Sequence, residues 1–167
     1  MDAVKDTPLD QGPKGHAQDG QGPNSYSDDA LRDAMELLFF AYRDFTAEPD
    51  NILSDYNFGR AHHRVIHFVG RNPGITVSQL LGILRMTKQS LSRVLRQLVS
   101  DGFVAQDAGL NDRRQRLLRL TDKGRALEIQ VSEDQRQRIQ RAFTAAGPAG
   151  VDGFRQVLNS MMIEAGE

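Results

Sequence analysis

Thr87-Lys88-Gln89-Ser90-Leu91-Ser92-Arg93-Val94-Leu95-Arg96-Gln97-Leu98-Val99 is the stretch on which the fold turns. Its apolar residues Leu91, Val94, Leu95 and Leu98 recur at three- and four-residue spacing, which makes them one buried stripe of a helix. Lys88, Gln89, Ser92, Arg93 and Arg96 are left for solvent or a partner. Gly102 closes the helix as a C-cap. Beyond it, Phe103-Val104-Ala105-Gln106 and Arg116-Leu117-Leu118-Arg119-Leu120 read as two strands joined by a turn from Gly109 to Asp112. The run Asn111-Asp112-Arg113-Arg114-Gln115-Arg116 crowds guanidinium groups at that hairpin. A helix showing short hydrogen-bonding side chains beside an arginine-tipped hairpin is suited to reading a DNA groove and gripping the flanking backbone.

Upstream, Thr76 caps a short helix over Val77 to Leu84, and Arg85-Met86 turn the chain into the helix that Thr87 begins. The order helix, helix, turn, helix, hairpin is that of a winged helix-turn-helix. Before it, a helix from near Ser54 to Arg71 carries Phe58, Val65, Ile66, Phe68 and Val69 as core, and Asn72-Pro73-Gly74 stops it. Ser27, followed by Asp28 and Asp29, caps the first helix, whose stripe runs through Leu31, Met35, Leu38, Tyr42 and Phe45; Pro49 is expected to end it. Leu37, Phe39 and Phe40 widen that stripe beyond one face, and a partner subunit is the simplest cover.

Downstream, Thr121 caps a long helix to about Phe143, with Leu127, Val131 and Ile139 in a stripe that Gln135 interrupts. Gly147-Pro148 breaks it, and Phe154, Val157, Leu158 and Met161 define a last helix. Residues 1–26 are rich in Gly, Pro, Asp and Gln and poor in aliphatics, which predicts a disordered tail. The expected architecture is mainly α with a small β-wing. A winged helix-turn-helix occupies 54–120, and a helical dimerisation region is built from 27–53 and 121–167.

The formal net charge of −1 conceals an uneven distribution. From Arg85 to Arg119 there are eight basic and three acidic residues, a local excess of five that leaves −6 for the rest. Such asymmetry fits a basic face for a polyanion on an acidic body, although a merely solvated charged surface has the same composition. The chain has no cysteine, so disulfides and thiolate metal sites are excluded. With no membrane-length apolar run and no signal-peptide pattern, a cytoplasmic location is the default expectation.

In order and spacing, Asn72-Pro73-Gly74-Ile75-Thr76, Thr87 through Leu98, Asp101-Gly102-Phe103-Val104, Asp112-x-Arg114 and Leu120-Thr121-Asp122-Lys123-Gly124 resemble the MarR family of bacterial transcription regulators. The resemblance covers about residues 30–165. It implies a homodimer whose first and last two helices intertwine, setting two winged domains on a near-palindromic operator in double-stranded DNA. It also implies that Arg114 enters the minor groove while Asp112 orients its guanidinium. A narrow minor groove does favour arginine, and a carboxylate two residues earlier can hold the planar fork. Taken alone, Asp112 and Arg114 are an ordinary hairpin ion pair. Thr87, Lys88, Gln89, Ser90, Ser92 and Arg93 fall in the half of the recognition helix that meets base edges, with Thr87 also a candidate N-cap. Arg96 reads as a phosphate contact, and Arg113 and Arg116 belong to the basic wing.

Arg60-Ala61-His62-His63-Arg64-Val65-Ile66-His67 gathers three of the four histidines into six residues. His63 and His67 lie four apart on one helical face, and Arg60 precedes His63 by three. Two imidazoles without cysteine make an incomplete zinc site, so no metal or other cofactor is expected. Arg60, His63, Arg64 and His67 can instead border a pocket for a small anionic effector, such as a carboxylate or phenolate, which would relieve their mutual repulsion. Packed, hydrogen-bonded histidines are the competing reading. The resemblance implies an effector site between this helix and the dimerisation helices. An enzyme built on the cluster is not expected, because no nucleophile motif, Gly-rich phosphate loop or His-Glu-x-x-His accompanies it. A protein-interaction module that keeps the fold without DNA has no physical need for Arg113, Arg114 and Arg116 together.

Overall fold

A computed structural model describes residues 25–109 and 115–162. The expected tail, 1–26, lies outside the described residues but for Ser25 and Tyr26, as do Asp112, Arg113 and Arg114 of the hairpin. The described residues fall into two compact units, divided between Leu38 and Phe39. No helix among the described residues is long and apolar enough to cross a membrane.

Among the described residues, five helices and three strands follow in the order α1 (Asp28–Ser54), α2 (Arg60–Arg71), β1 (Ile75–Thr76), α3 (Val77–Leu84), α4 (Lys88–Ser100), β2 (Val104–Ala108), β3 (Arg116–Leu120) and α5 (Asp122–Met161). The strands make one antiparallel sheet in the order β1-β3-β2, with Ile75 opposite Leu118 and Val104 opposite Leu120. The two-residue strand β1 has no sequence signal of its own, being too short to alternate.

Local chemistry sets most boundaries. Thr76, Thr87 and Thr121 each accept the N–H three residues on, from Gln79, Ser90 and Gly124 at 3.2, 3.2 and 3.0 Å. At the end of α4, Phe103 N–H donates to the Leu98 carbonyl at 2.8 Å and Gly102 N–H to that of Val99 at 3.1 Å, the pair of bonds of a Schellman motif. Arg85 adopts the left-handed conformation, φ 49°, so the chain turns between α3 and α4 in few residues. The break expected at Gly147-Pro148 is present as φ 68°, ψ 175° at Gly147, a conformation that only glycine adopts without strain, but helix resumes directly on its far side.

Two expectations at the first helix need correcting. Pro49 lies inside α1, which runs on to Ser54, and α2 starts at Arg60 rather than near Ser54. Residues 55–59 form a turn whose Phe58 is nevertheless buried. A proline inside a helix deprives the carbonyl four residues back of its donor. Here that carbonyl belongs to Phe45, and the Gln135 side chain of α5 donates to it at 3.0 Å. The polar interruption in the α5 stripe is therefore the partner of the proline in α1.

The core of the second unit is one cluster. Leu91, Val94, Leu95 and Leu98 of α4 pack with Val65, Ile66 and Val69 of α2, Leu80 and Leu84 of α3, Leu118 and Leu120 of β3, and Leu127 and Val131 of α5. Large apolar side chains remain exposed: Leu31, Met35, Leu37 and Leu38 in the first unit, and Phe39, Phe40, Phe154, Val157 and Met161 in the second.

The Gln135 bond carries a prediction. Gln135→Leu adds apolar surface yet orphans the half-buried Phe45 carbonyl, and should lower unfolding free energy by about 1–3 kcal/mol. In a Pro49→Ala background, where residue 49 regains its N–H, the same substitution should cost distinctly less. Equal losses by urea denaturation in the two backgrounds would show that the carbonyl is not what Gln135 serves.

Candidate nucleic-acid interface and adjoining pocket

Burying the stripe of α4 turns Gln89, Ser92, Arg93 and Arg96 outward along one face, with Lys88 beside them; all five are exposed. Among the described residues no ion pair engages Lys88, Arg93 or Arg96, so their charges face solvent undivided. Thr87 is the N-cap, and its hydroxyl also donates to Ser90 Oγ at 2.9 Å. That bond leaves the Ser90 hydroxyl hydrogen available to a partner.

The hairpin places Arg116 exposed at the start of β3, opposite Ala108. Gly109 N–H donates to the Gln115 carbonyl at 3.0 Å, closing the ladder just before residues 110–114. Arg119, one source of the basic excess, is held by Asp107 of β2 at 2.8 Å. At the wing base, a Cβ on Gly124 would come within 2.0 Å of the Phe103 carbonyl oxygen. Only glycine permits that approach, and Thr121 Oγ1 donates to the Gly102 carbonyl at 2.7 Å beside it. The Leu-Thr-x-x-Gly motif is thus the joint between wing and α5.

Arg60, His63, Arg64 and His67 line a single pocket of about 410 Å³ together with Tyr42, Phe45, Thr46, Phe68 and Gln135. The mutual repulsion expected of the four is largely relieved within the chain. Arg60 pairs with Asp50 at 2.9 Å, also donates to Thr46 Oγ1 at 3.3 Å, and lies over the Tyr42 ring at 5.2 Å. Arg64 donates to the Leu84 carbonyl at 2.8 Å, where a cation suits the end of α3. His67 Nδ1 faces Glu128 at 3.7 Å. His63 is half-buried, and burial first, then the neighbouring His67, push its pKa below the usual 6.5, with Asp50 opposing. The sequence missed Tyr42, Phe45, Thr46 and Phe68 as pocket walls; the polar break at Gln135 was the one visible signal.

Residues 56–115 match the sequence profile of the MarR family. The HTH-type transcriptional regulator PetP of Rhodobacter capsulatus is 55% identical over 136 residues, covering 81% of this chain and 82% of that protein. Among solved structures, Streptococcus pneumoniae FabT in complex with DNA superposes with a TM-score of 0.68 at 19% identity, over 80% of this chain and 94% of that one. A Staphylococcus aureus MarR in complex with salicylate and kanamycin gives a TM-score of 0.63 at 20% identity, over 80% and 91%.

The direction of the His63 shift fixes a pH dependence. Because its folded pKa lies below the unfolded value, the unfolded chain binds the extra proton, and stability falls as pH drops through about 6.5. His63→Gln should therefore lose less stability than the parent between about pH 7.5 and about pH 5.5. Identical losses in thermal melts would mean that His63 takes up its proton as readily folded as unfolded.

Proposed function

The chain belongs to the MarR family of DNA-binding transcriptional regulators, and from that premise we propose that it works as a homodimer on a near-palindromic operator, modulated by a small effector. The observation that carries this is the outer face of α4: Gln89, Ser92, Arg93 and Arg96 in line, exposed, with no ion pair among the described residues. Gln suits adenine and Arg suits guanine in a major groove. Lys88, Ser90, Thr87 and Arg96 supply backbone and cap contacts around them. Arg114, oriented by Asp112 and flanked by Arg113 and Arg116, extends the contact to the minor groove. The FabT structure with DNA supports this use of the fold.

A second copy is the proposed cover for the exposed apolar side chains of α1 and the C-terminal arm of α5. Two copies bring two α4 helices to half-sites about 34 Å apart, one turn of DNA.

The effector site is the pocket bordered by Arg60, His63, Arg64 and His67. Its rings at Tyr42, Phe45 and Phe68 suit an aromatic body, and its cations suit a carboxylate or phenolate. Since the cations already have partners, an anion binds by exchange. Asp50 on Arg60 is the most accessible partner to displace, and losing it opens a link between α1 and α2. Only a ligand with different affinities for the linked and unlinked arrangements shifts DNA binding.

Selection from a random duplex pool, followed by titration in varied salt, tests the DNA reading. Two chains per duplex are expected by light scattering. Arg114→Ala should weaken binding by about 1–3 kcal/mol per half-site, while Arg96→Ala should act mainly by reducing the salt slope by about 1. A chain that selects no sequence at physiological salt would leave the protein-interaction module as the reading.

For the effector, small aromatic carboxylates are titrated against the DNA complex of the parent and of His63→Ala and Arg60→Ala. Release of DNA by an anion in the parent, and weaker release in both variants, is expected. No release, or equal release in all three, would make the cluster structural.

A further inference from the structure

His62 stands apart from the pocket. Its Nδ1 lies 3.1 Å from the Gly59 backbone nitrogen, and its Nε2 lies 2.9 Å from Gln97 Oε1 on α4. A backbone N–H can only donate, so Nδ1 bears the lone pair and the ring proton sits on Nε2, donated to Gln97. Gln97 Nε2 in turn donates to the Asn57 carbonyl at 3.5 Å. The imidazole stacks on Phe58 with centroids 4.7 Å apart and planes 9° from parallel, and Phe58 meets Phe103 of the wing base edge-on at 5.1 Å. The imidazole thereby ties the α1–α2 turn to α4, and the Phe58 ring beneath it ties the same turn to the wing base.

We infer that His62 is a positioning residue that, through Gln97, fixes the rotation of α4 about its own axis. This rests on the reading that α4 meets DNA. The stripe Leu91, Val94, Leu95 and Leu98 anchors α4 by burial, which is non-directional and resists a small roll weakly. A hydrogen bond weakens steeply when bent. At a helix radius of about 5–6 Å with side chains, a roll of about 10° displaces the outer groups by about 1 Å, beyond the roughly 0.5 Å within which recognition groups must be held. Gln97 adjoins Arg96 in sequence and lies one turn after Arg93, so a roll that stretches its bond carries both arginines off register.

The residue type supports the same conclusion. His62 is the third residue of α2, where a glutamine ordinarily accepts the N-cap N–H. A cap alone needs no histidine. The imidazole adds a second nitrogen on its far side, and that nitrogen is the one that reaches α4.

The test compares the parent, His62→Gln, Gln97→Ala and the double variant on the duplex the parent selects and on an unrelated duplex. His62→Gln keeps an acceptor for Gly59 N–H and loses the reach to Gln97. Each single variant should bind the selected duplex about 3- to 10-fold more weakly and the unrelated duplex unchanged. The double should bind no more weakly than the weaker single, because the His62–Gln97 bond is already lost in each. Additive losses, equal losses on both duplexes, or selected-duplex affinities within twofold of the parent would overturn the proposal. Ring-nitrogen NMR of the folded parent at about pH 7.5 gives a readout independent of any variant's folding: His62 should carry its proton on Nε2, and an Nδ1–H ring would overturn the assignment. Arg93→Ala run in parallel separates the two readings. If it weakens selective binding while the His62 and Gln97 variants do not, only the latch is wrong; if none of them matters, α4 is not the reading helix and both fall.

Discussion

Helix α2 is joined to each of the other four helices by a different polar side chain. Arg60 reaches Asp50 of α1, Arg64 the last carbonyl of α3 at Leu84, His62 reaches Gln97 of α4, and His67 faces Glu128 of α5. The apolar face of α2, with Val65, Ile66 and Val69 wholly buried, supplies the free energy of packing. The polar ring around it contributes little to stability, since exposed pairs are weak. Its contribution is direction. Burial fixes which face of each helix turns inward, and the tethers add directional bonds between the helices.

This division also separates two kinds of cation. On α2, Arg60 is paired with Asp50 and Arg64 donates to the Leu84 carbonyl, so both guanidinium groups of residues 60–67 already have acceptors within the chain. On α4, Lys88, Arg93 and Arg96 have no ion pair among the described residues, and on the wing Arg119 is neutralised by Asp107 while Arg116 is exposed. A polyanion therefore finds uncommitted charge at α4 and the hairpin, and a small anion at α2 must displace a resident partner. The formal charge of −1 says nothing of either, because it averages over both.

What could be read in the sequence follows the range of the interactions. Caps at Thr76, Thr87 and Thr121 and the stop at Gly102 depend on neighbours within five residues, and they were legible. So was the α4 stripe, since periodicity is itself local. Pro49 was misread because its compensation comes from Gln135, whose bond to Phe45 spans 90 positions; a proline signal is local, whereas its rescue is not. The strand β1 exists only by pairing with β3, and the role of His62 depends on Gln97, 35 positions away. Of the candidate contacts, those on α4 followed from helical geometry. Asp112, Arg113 and Arg114 rested on motif spacing, and they lie outside the described residues.

The two sites are linked by a short piece of chain. Asp50, the accessible partner of Arg60 at the pocket, precedes by one helical turn the end of α1 at Ser54. The turn that follows supplies both the Asn57 carbonyl that receives Gln97 and the Phe58 ring on which His62 stacks. No α4 residue lines the pocket. Residues 50–59 hold Arg60 of the proposed effector pocket through Asp50 at one end and the proposed latch on α4 at the other. A ligand that released Asp50 would loosen this segment where it is tied to α2, and the bonds of His62 and Gln97 run from there to α4. Regulation at a distance then requires no deformation of the core. On the two proposals it requires one exposed ion pair to open and one polar latch to lose its alignment.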